Sequence, residues 1–171
     1  YTVTMMIIPL ACLLMIAPPT AKEIMAGIDV GYVKQTDTKL VSFGTRHSLS
    51  NATSPTRGIG AARNWIKSEM ESFGGKLQVS FEEFEAPKGP RIPQPTKFVN
   101  VIAVLPGTMP EAAGRRYYVV GHYDSMPTDV MDPNTDAPGA NDDGSGTTAV
   151  IAIARAMAKH PCEATIVFLC T

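Results

Sequence analysis

A chain of 171 residues is long enough for one domain with a real core. Its 44% hydrophobic and 18% charged residues are ordinary for a globular protein and exclude general disorder. The formal net charge of -1 gives no electrostatic reason for a nucleic acid or an anionic membrane surface as partner.

Val3 to Ala17 is apolar apart from Thr4, shorter than the ~20 residues of a membrane-spanning helix. Small residues and prolines follow, and the first charge is Lys22. The pattern predicts a signal peptide over residues 1–21, cleaved near Ala21, and hence an exported protein with no stable membrane association after processing. A buried helix or an uncleaved anchor is the plainer alternative. Tyr1 stands first rather than Met, and Ala164–Thr171 reads as a core strand at the very end. Both ends therefore read as those of a fragment. Residues 22–55 read as a lead-in segment ahead of a domain that occupies 56–171.

Of the three cysteines, Cys12 lies in the apolar leader. Cys162 and Cys170 are expected not to pair, because eight extended residues span roughly 26 Å against the ~7 Å a disulfide tolerates. In the lead-in, Leu40–Phe43 could be a short strand or a turn of helix. His47, among Ser, Thr and Arg, reads as a solvated loop histidine. Asn51-Ala52-Thr53 is a glycosylation sequon.

Thr56 to Phe73 predicts an amphipathic helix with Ile59, Ala62, Ile66, Met70 and Phe73 on one face, Thr56 as cap and Gly74-Gly75 as stop. Trp65 reads as packing. Leu77 to Phe84 alternates like a half-buried strand near an edge, with Glu82-Glu83 on the surface. Ala86 to Lys97 carries four prolines and must be a surface loop. Asn100–Leu105 and Tyr117–Gly121 read as buried strands, the second as the central one, with a polar turn at Glu111–Arg116 between them. Ser145 to Lys159 reads as a helix whose face is Ala149, Ile153, Ala156 and Met157, widened by Val150 and Ile151 and capped by Asp143 or Ser145. Strand, loop, helix and strand from Tyr117 onward make a βαβ unit. The expected fold class is α/β, with a mixed, largely parallel sheet flanked by helices. Ligands in such sheets sit at the carboxyl ends of the strands.

The chemistry gathers at two places. Val119-Val120-Gly121-His122-Tyr123-Asp124 runs out of a strand, and residues two apart in a strand point the same way, so His122 and Asp124 emerge together. Gly139-Ala140-Asn141-Asp142-Asp143-Gly144-Ser145-Gly146 is a Gly-rich turn with two carboxylates ahead of a helix. An imidazole, a carboxylate behind it and another on a facing loop are donors a hydrolytic zinc site needs. Either motif alone would read as a satisfied polar pair or a helix cap. Asp132, Asn134 and Asp136 half-match a calcium loop, but Ala137 and Asp143 stand where Gly and Glu are required. No Gly-x-Ser-x-Gly is present, which disfavours a serine hydrolase.

In their order and spacing these motifs resemble the co-catalytic zinc exopeptidases related to bacterial leucyl aminopeptidase and glutamate carboxypeptidase. The helix ending in Phe73-Gly74-Gly75, the alternating strand and Asn100-Val-Ile-Ala-Val-Leu-Pro-Gly107 extend the likeness over about residues 40–171. The resemblance implies a zinc-exopeptidase-like fold, with residues 56–171 as the N-terminal part of a metallopeptidase catalytic domain, and a pair of zinc ions. His122 would ligate one zinc, Asp142 would bridge both, and Asp124 would serve catalysis by orienting His122. Asp143 would be a turn or cap group. The substrate would be the N-terminus of a peptide or protein, held by its free α-amine. A Glu-Glu pair, a later Asp and a late His would be needed beyond Thr171, so the chain alone should bind zinc poorly and turn nothing over. A catalytically silent binding homologue, or a relative that cyclises N-terminal glutamine on a single zinc, is the alternative.

Overall fold

The computed structural model describes residues 18–171 except Ala113. The apolar run Val3–Ala17, with Cys12 and most of the expected signal peptide, lies outside the described residues.

Two helices fill the lead-in that the apolar pattern left blank. Helix α1 (Ala21–Ala26) opens with a capping box: Thr20 Oγ1 accepts the Glu23 N–H, and Glu23 Oε2 accepts the Thr20 N–H at 2.7 Å. The expected cleavage point near Ala21 falls in this first turn. Helix α2 (Val30–Val41) opens on Asp29, whose Oδ1 accepts the N–H groups of Gly31 and Tyr32. Leu40 and Val41 are thus the last turn of a helix rather than a strand. Neither helix was expected, since hydrophobic periodicity is weak in both; the caps at Thr20 and Asp29 were the signal available.

Helix α3 (Gly58–Ser72) buries the stripe Ile59, Ala62, Ile66 and Met70, and Phe73 just beyond it, as the spacing predicts. Its start differs from expectation. Thr56 lies outside the helix, and Arg57 holds the cap position without a side-chain bond. A distant loop supplies the cap instead: Ser50 Oγ accepts the Ile59 N–H at 2.9 Å, and the Asn51 carbonyl accepts the Gly60 N–H at 3.1 Å. A Cβ on Gly60 would stand 2.1 Å from the Ala52 carbonyl oxygen, so the loop seats only against a glycine. Trp65 packs on Phe43, ring centroids 6.2 Å apart.

Strands β1 (Gln78–Ala86), β2 (Thr96–Leu105), β3 (Arg116–Gly121) and β4 (Thr165–Cys170) form one sheet in the order β1-β2-β4-β3. β1 and β2 are an antiparallel pair joined by the proline-rich loop, with Phe84 opposite Phe98 and their rings stacked at 5.4 Å. Glu82 and Glu83 are on the surface, facing Asn100 and Lys97. β2 alternates cleanly, burying Val99, Val101, Ala103 and Leu105. The sheet is mixed, as expected, but not largely parallel: among the described residues only β3 and β4 pair in parallel, while β2 runs antiparallel to both β1 and β4. Helix α4 (Ser145–Met157) is the crossover between the parallel pair.

Two expectations are corrected here. β4 rather than β3 holds an interior place; β3 has a partner on one side among the described residues, and Tyr117, Tyr118 and Val120 are each more than half exposed. α4 buries Thr147, Val150, Ile151, Ala154 and, just past its end, Ala158, while Ala149 is exposed. A helix apolar around most of its circumference does not declare its inner face; the sheet and α2 choose it. Gly121 and Gly146 allow a close crossing, since a Cβ on Gly121 would lie 2.8 Å from the Gly146 carbonyl carbon. Cys162 and Cys170 are both free thiols, and burial pushes the Cys170 thiol up to about 12. No helix among the described residues is long and apolar enough to cross a membrane.

Candidate metal centre

The parallel ladder continues past β3. Thr171 N donates to the Gly121 carbonyl at 3.0 Å, and Tyr123 N donates to the Thr171 carbonyl at 2.8 Å. This keeps residues 121–124 extended, so side chains alternate. Tyr123 turns inward, 3% exposed, and its hydroxyl donates to the Val99 carbonyl at 2.6 Å. His122 and Asp124 therefore face out together, with side chains 48% and 39% exposed. The buried tyrosine is the anchor that fixes which way the pair points.

His122 Nδ1 lies 3.0 Å from Asp124 Oδ1, and Asp124 Oδ2 accepts the Ser48 hydroxyl at 2.8 Å. With Nδ1–H donated to Asp124, the ring presents Nε2 on its far side. Nε2 lies 3.1 Å from Asp142 Oδ1, on a carboxylate 88% exposed. Desolvation alone would lower the His122 pKa. The Asp124 hydrogen bond and the charges of Asp124, Asp143 and Asp142 outweigh it, and the net shift is upward.

Asp142 and Asp143 sit in a wide turn over Ala140–Gly144 where both leave helical φ/ψ, following Gly139 at φ 49°. They point to different tasks. Asp143 Oδ2 accepts the backbone N–H of His122 at 3.0 Å, and its Oδ1 accepts the Gly146 N–H at 3.0 Å. It caps α4 and ties the turn to the histidine strand. Asp142 carries its charge into solvent.

Sequence reasoning missed the residue beneath this arrangement. Arg46 is fully buried. Its Nε donates to the Tyr123 carbonyl (2.6 Å), Nη1 to those of Leu40 (3.0 Å) and Pro138 (2.7 Å), and Nη2 to that of Gly139 (3.0 Å). Desolvation lowers its pKa, while Asp37, Asp124 and Asp143 oppose that shift. Ser125 closes the same knot: its Oγ accepts the Arg46 N–H (2.9 Å) and donates to the Ala137 carbonyl (2.6 Å). His47 is a second correction, 6% exposed rather than solvated. Its Nδ1 accepts the Leu49 N–H and its Nε2 lies 3.1 Å from the Val130 carbonyl, so both ring nitrogens have partners inside the fold. The Thr45-Arg46-His47-Ser48 run looked like a polar loop because each residue in it is polar. A cation in a segment otherwise poor in charge was the available signal.

The calcium pattern dissolves in the structure. Asp132 Oδ1 accepts the N–H groups of Asn134 and Thr135, and Asp136 pairs with Arg57 at 2.6 Å. Among the described residues no group of three or more His, Cys, Asp or Glu is placed to hold a metal. His122 and Asp142 make a two-donor set, one imidazole and one carboxylate. Two ligands about 2.0–2.1 Å from one tetrahedral zinc stand roughly 3.3 Å apart. The 3.1 Å between His122 Nε2 and Asp142 Oδ1 fits that requirement.

The fold is that of the zinc-dependent exopeptidase class. The chain superposes on the leucine aminopeptidase precursor of Bacteroides thetaiotaomicron with a TM-score of 0.61, at 22% identity, covering 84% of this chain and 46% of that one. It superposes equally on the glutaminyl cyclase of Fimbriiglobus ruber, with a TM-score of 0.62 at 21% identity, covering 84% and 45%. Residues 100–171 match the sequence model of Peptidase family M28, and it is with this family that the resemblance read from the two motifs is shown. A relative in Leptosphaeria maculans, a probable zinc metalloprotease, is 43% identical over 160 residues, covering 90% of this chain and 37% of its own length. The chain spans about a third of the length of the curated relatives it matches.

Proposed function

We propose that this chain supplies part of the metal site of a zinc-dependent exopeptidase that removes N-terminal residues from peptides. The observation that carries the reading is the facing of His122 Nε2 and Asp142 Oδ1 at 3.1 Å, with Asp124 behind the imidazole. His122 and Asp142 are the residues that would hold zinc, in a site proposed to take two ions. Asp124 holds His122 in the tautomer that leaves the Nε2 lone pair free on the Asp142 side, and would raise its strength as a metal donor. Ser48 in turn fixes the Asp124 carboxylate. Asp143 keeps the acidic turn against the histidine strand. Bound zinc supplies a water acidic enough to ionise near neutral pH and a Lewis acid for the peptide carbonyl. The remaining ligands and the general base are assigned to sequence beyond this chain, and export is proposed from the apolar leader.

The test uses the full-length protein. Zinc content is measured by metal analysis, and hydrolysis of chromogenic amino-acid amides is followed with and without chelator. Chelator-sensitive release of the N-terminal residue is expected. Absence of zinc, or hydrolysis indifferent to chelator, would overturn the reading. The fold is equally that of glutaminyl cyclases. Conversion of N-terminal glutamine peptides to pyroglutamate without hydrolysis would transfer the site to that chemistry.

A further inference from the structure

Resting on the zinc reading, we infer that Arg46 is a positioning residue: its guanidinium sets the spacing between the segment carrying His122 and the segment carrying Asp142. Tyr123, whose carbonyl takes the Nε–H, lies between His122 and Asp124. Pro138 and Gly139, whose carbonyls take Nη1–H and Nη2–H, lead directly into the Asp142 turn. The Leu40 carbonyl, at the end of α2, anchors the same group to the scaffold, where a cation also complements the helix dipole. One planar side chain thus reaches three separate segments, two of which end in the facing donors.

The chemistry of arginine is specific to this task. Its five N–H groups form a rigid fork, whereas lysine has three donors on one rotating point. Four of the five N–H groups have a carbonyl partner here. Among the described residues no carboxylate oxygen lies in salt-bridge contact with the guanidinium, and its bonds go to backbone and fix chain position. The main chain around it repeats the link. Ala137 N donates to the Gly44 carbonyl, and the Arg46 carbonyl accepts the Ser125 N–H. Gly139 is held tightly in the process: a Cβ there would meet Ser125 Cβ at 2.6 Å and Arg46 Nη2 at 3.1 Å. The Asp142 turn is therefore seated on the arginine, three residues from its carboxylate.

The test compares full-length wild type, Arg46→Lys and Arg57→Lys. Arg57 also spans to the 132–136 loop, through the Asn134 carbonyl and Asp136, but at the surface and away from both donors. Zinc affinity is read by competition with a chromophoric chelator, thermal stability with and without zinc, and donor geometry from the visible absorption of the cobalt-substituted protein. For Arg46→Lys the expected results are a loss of zinc affinity of roughly 10–100-fold, the range for groups that orient ligands, a smaller zinc-induced rise in Tm and an altered cobalt spectrum. Arg57→Lys should match wild type in all three. A lower metal-free Tm with wild-type zinc affinity and cobalt spectrum would show that Arg46 serves folding alone and would overturn the inference. If Arg46→Lys does not fold, Gly139→Ala decides in its place, since the added Cβ would press on Arg46 Nη2 and Ser125 and unseat the guanidinium from the Asp142 turn while leaving both proposed ligands unaltered; a zinc affinity equal to wild type would overturn the inference. Wild-type protein that binds no zinc would overturn the site reading and this inference together.

Discussion

Helix α3 with the β1–β2 hairpin, and the corner where β3 runs out beside the Ala140–Gly144 turn, are built by opposite means. In the first region apolar side chains at helical or alternating spacing enter one core, and polar ones stay outside. In the second the buried groups are Thr45, Arg46, His47 and Ser125, and the ordering force is hydrogen bonding to backbone. Packing tolerates adjustment. A satisfied polar network does not, because each missing partner leaves a buried donor or acceptor unpaired. The chain therefore divides into a region that sets stability and one that sets the position of a few atoms.

Substitutions should separate the two. The largest effect is expected from His122→Ala in the full-length protein. It removes a donor to the metal, and kcat/KM should fall on the order of 10³-fold, equivalent to about 4 kcal/mol of transition-state stabilisation. The unfolding curve of the metal-free protein should hardly move, because the ring is half exposed. A large loss of metal-free stability would show that the two regions are one cooperative unit. Met70→Ala is the converse. Met70 is fully buried in the core, so a loss of about 2–5 kcal/mol in urea denaturation is expected, with zinc affinity of the folded fraction intact.

Asp124→Asn comes next. The amide still accepts a bond from the His122 ring but lacks the charge, and zinc affinity should fall by roughly 10–100-fold in chelator competition. Fold and Tm without metal should be retained. An unchanged affinity would reduce Asp124 to a polar neighbour. Glu71→Ala should do least. It breaks the i,i+4 pair with Lys67 on the outer face of α3, and a change within about 0.5 kcal/mol is expected by thermal unfolding. A larger loss would mean that surface charge matters to this helix as packing does.

Reading the chain residue by residue reached the first region almost whole. α3, the alternation of β1 and β2, the surface placement of Glu82-Glu83 and the βαβ unit follow from periods of 3.6 and 2. Helices α1 and α2 were not read from the sequence, because hydrophobic periodicity there is weak; Thr20 and Asp29 cap them in the structure. The inner face of α4 was not legible, because apolar residues lie on several sides of it. β3 reads as buried in its composition, yet it lies at the edge of the sheet among the described residues.

What the amino-acid order determined by itself is local. It set the extended run that sends His122 and Asp124 to one side, the glycine-bounded turn that offers Asp142, and the stripes that make a core. Tertiary structure alone decided that Asp142 comes within 3.1 Å of His122, that a loop at Ser50 and Asn51 caps a helix it precedes, and that Arg46 and His47 go inside. The reason is physical. Periodicity is a property of neighbours along the chain, whereas burying a cation requires carbonyl partners, and those of Arg46 lie at positions 40, 123, 138 and 139. They meet only once the chain has folded.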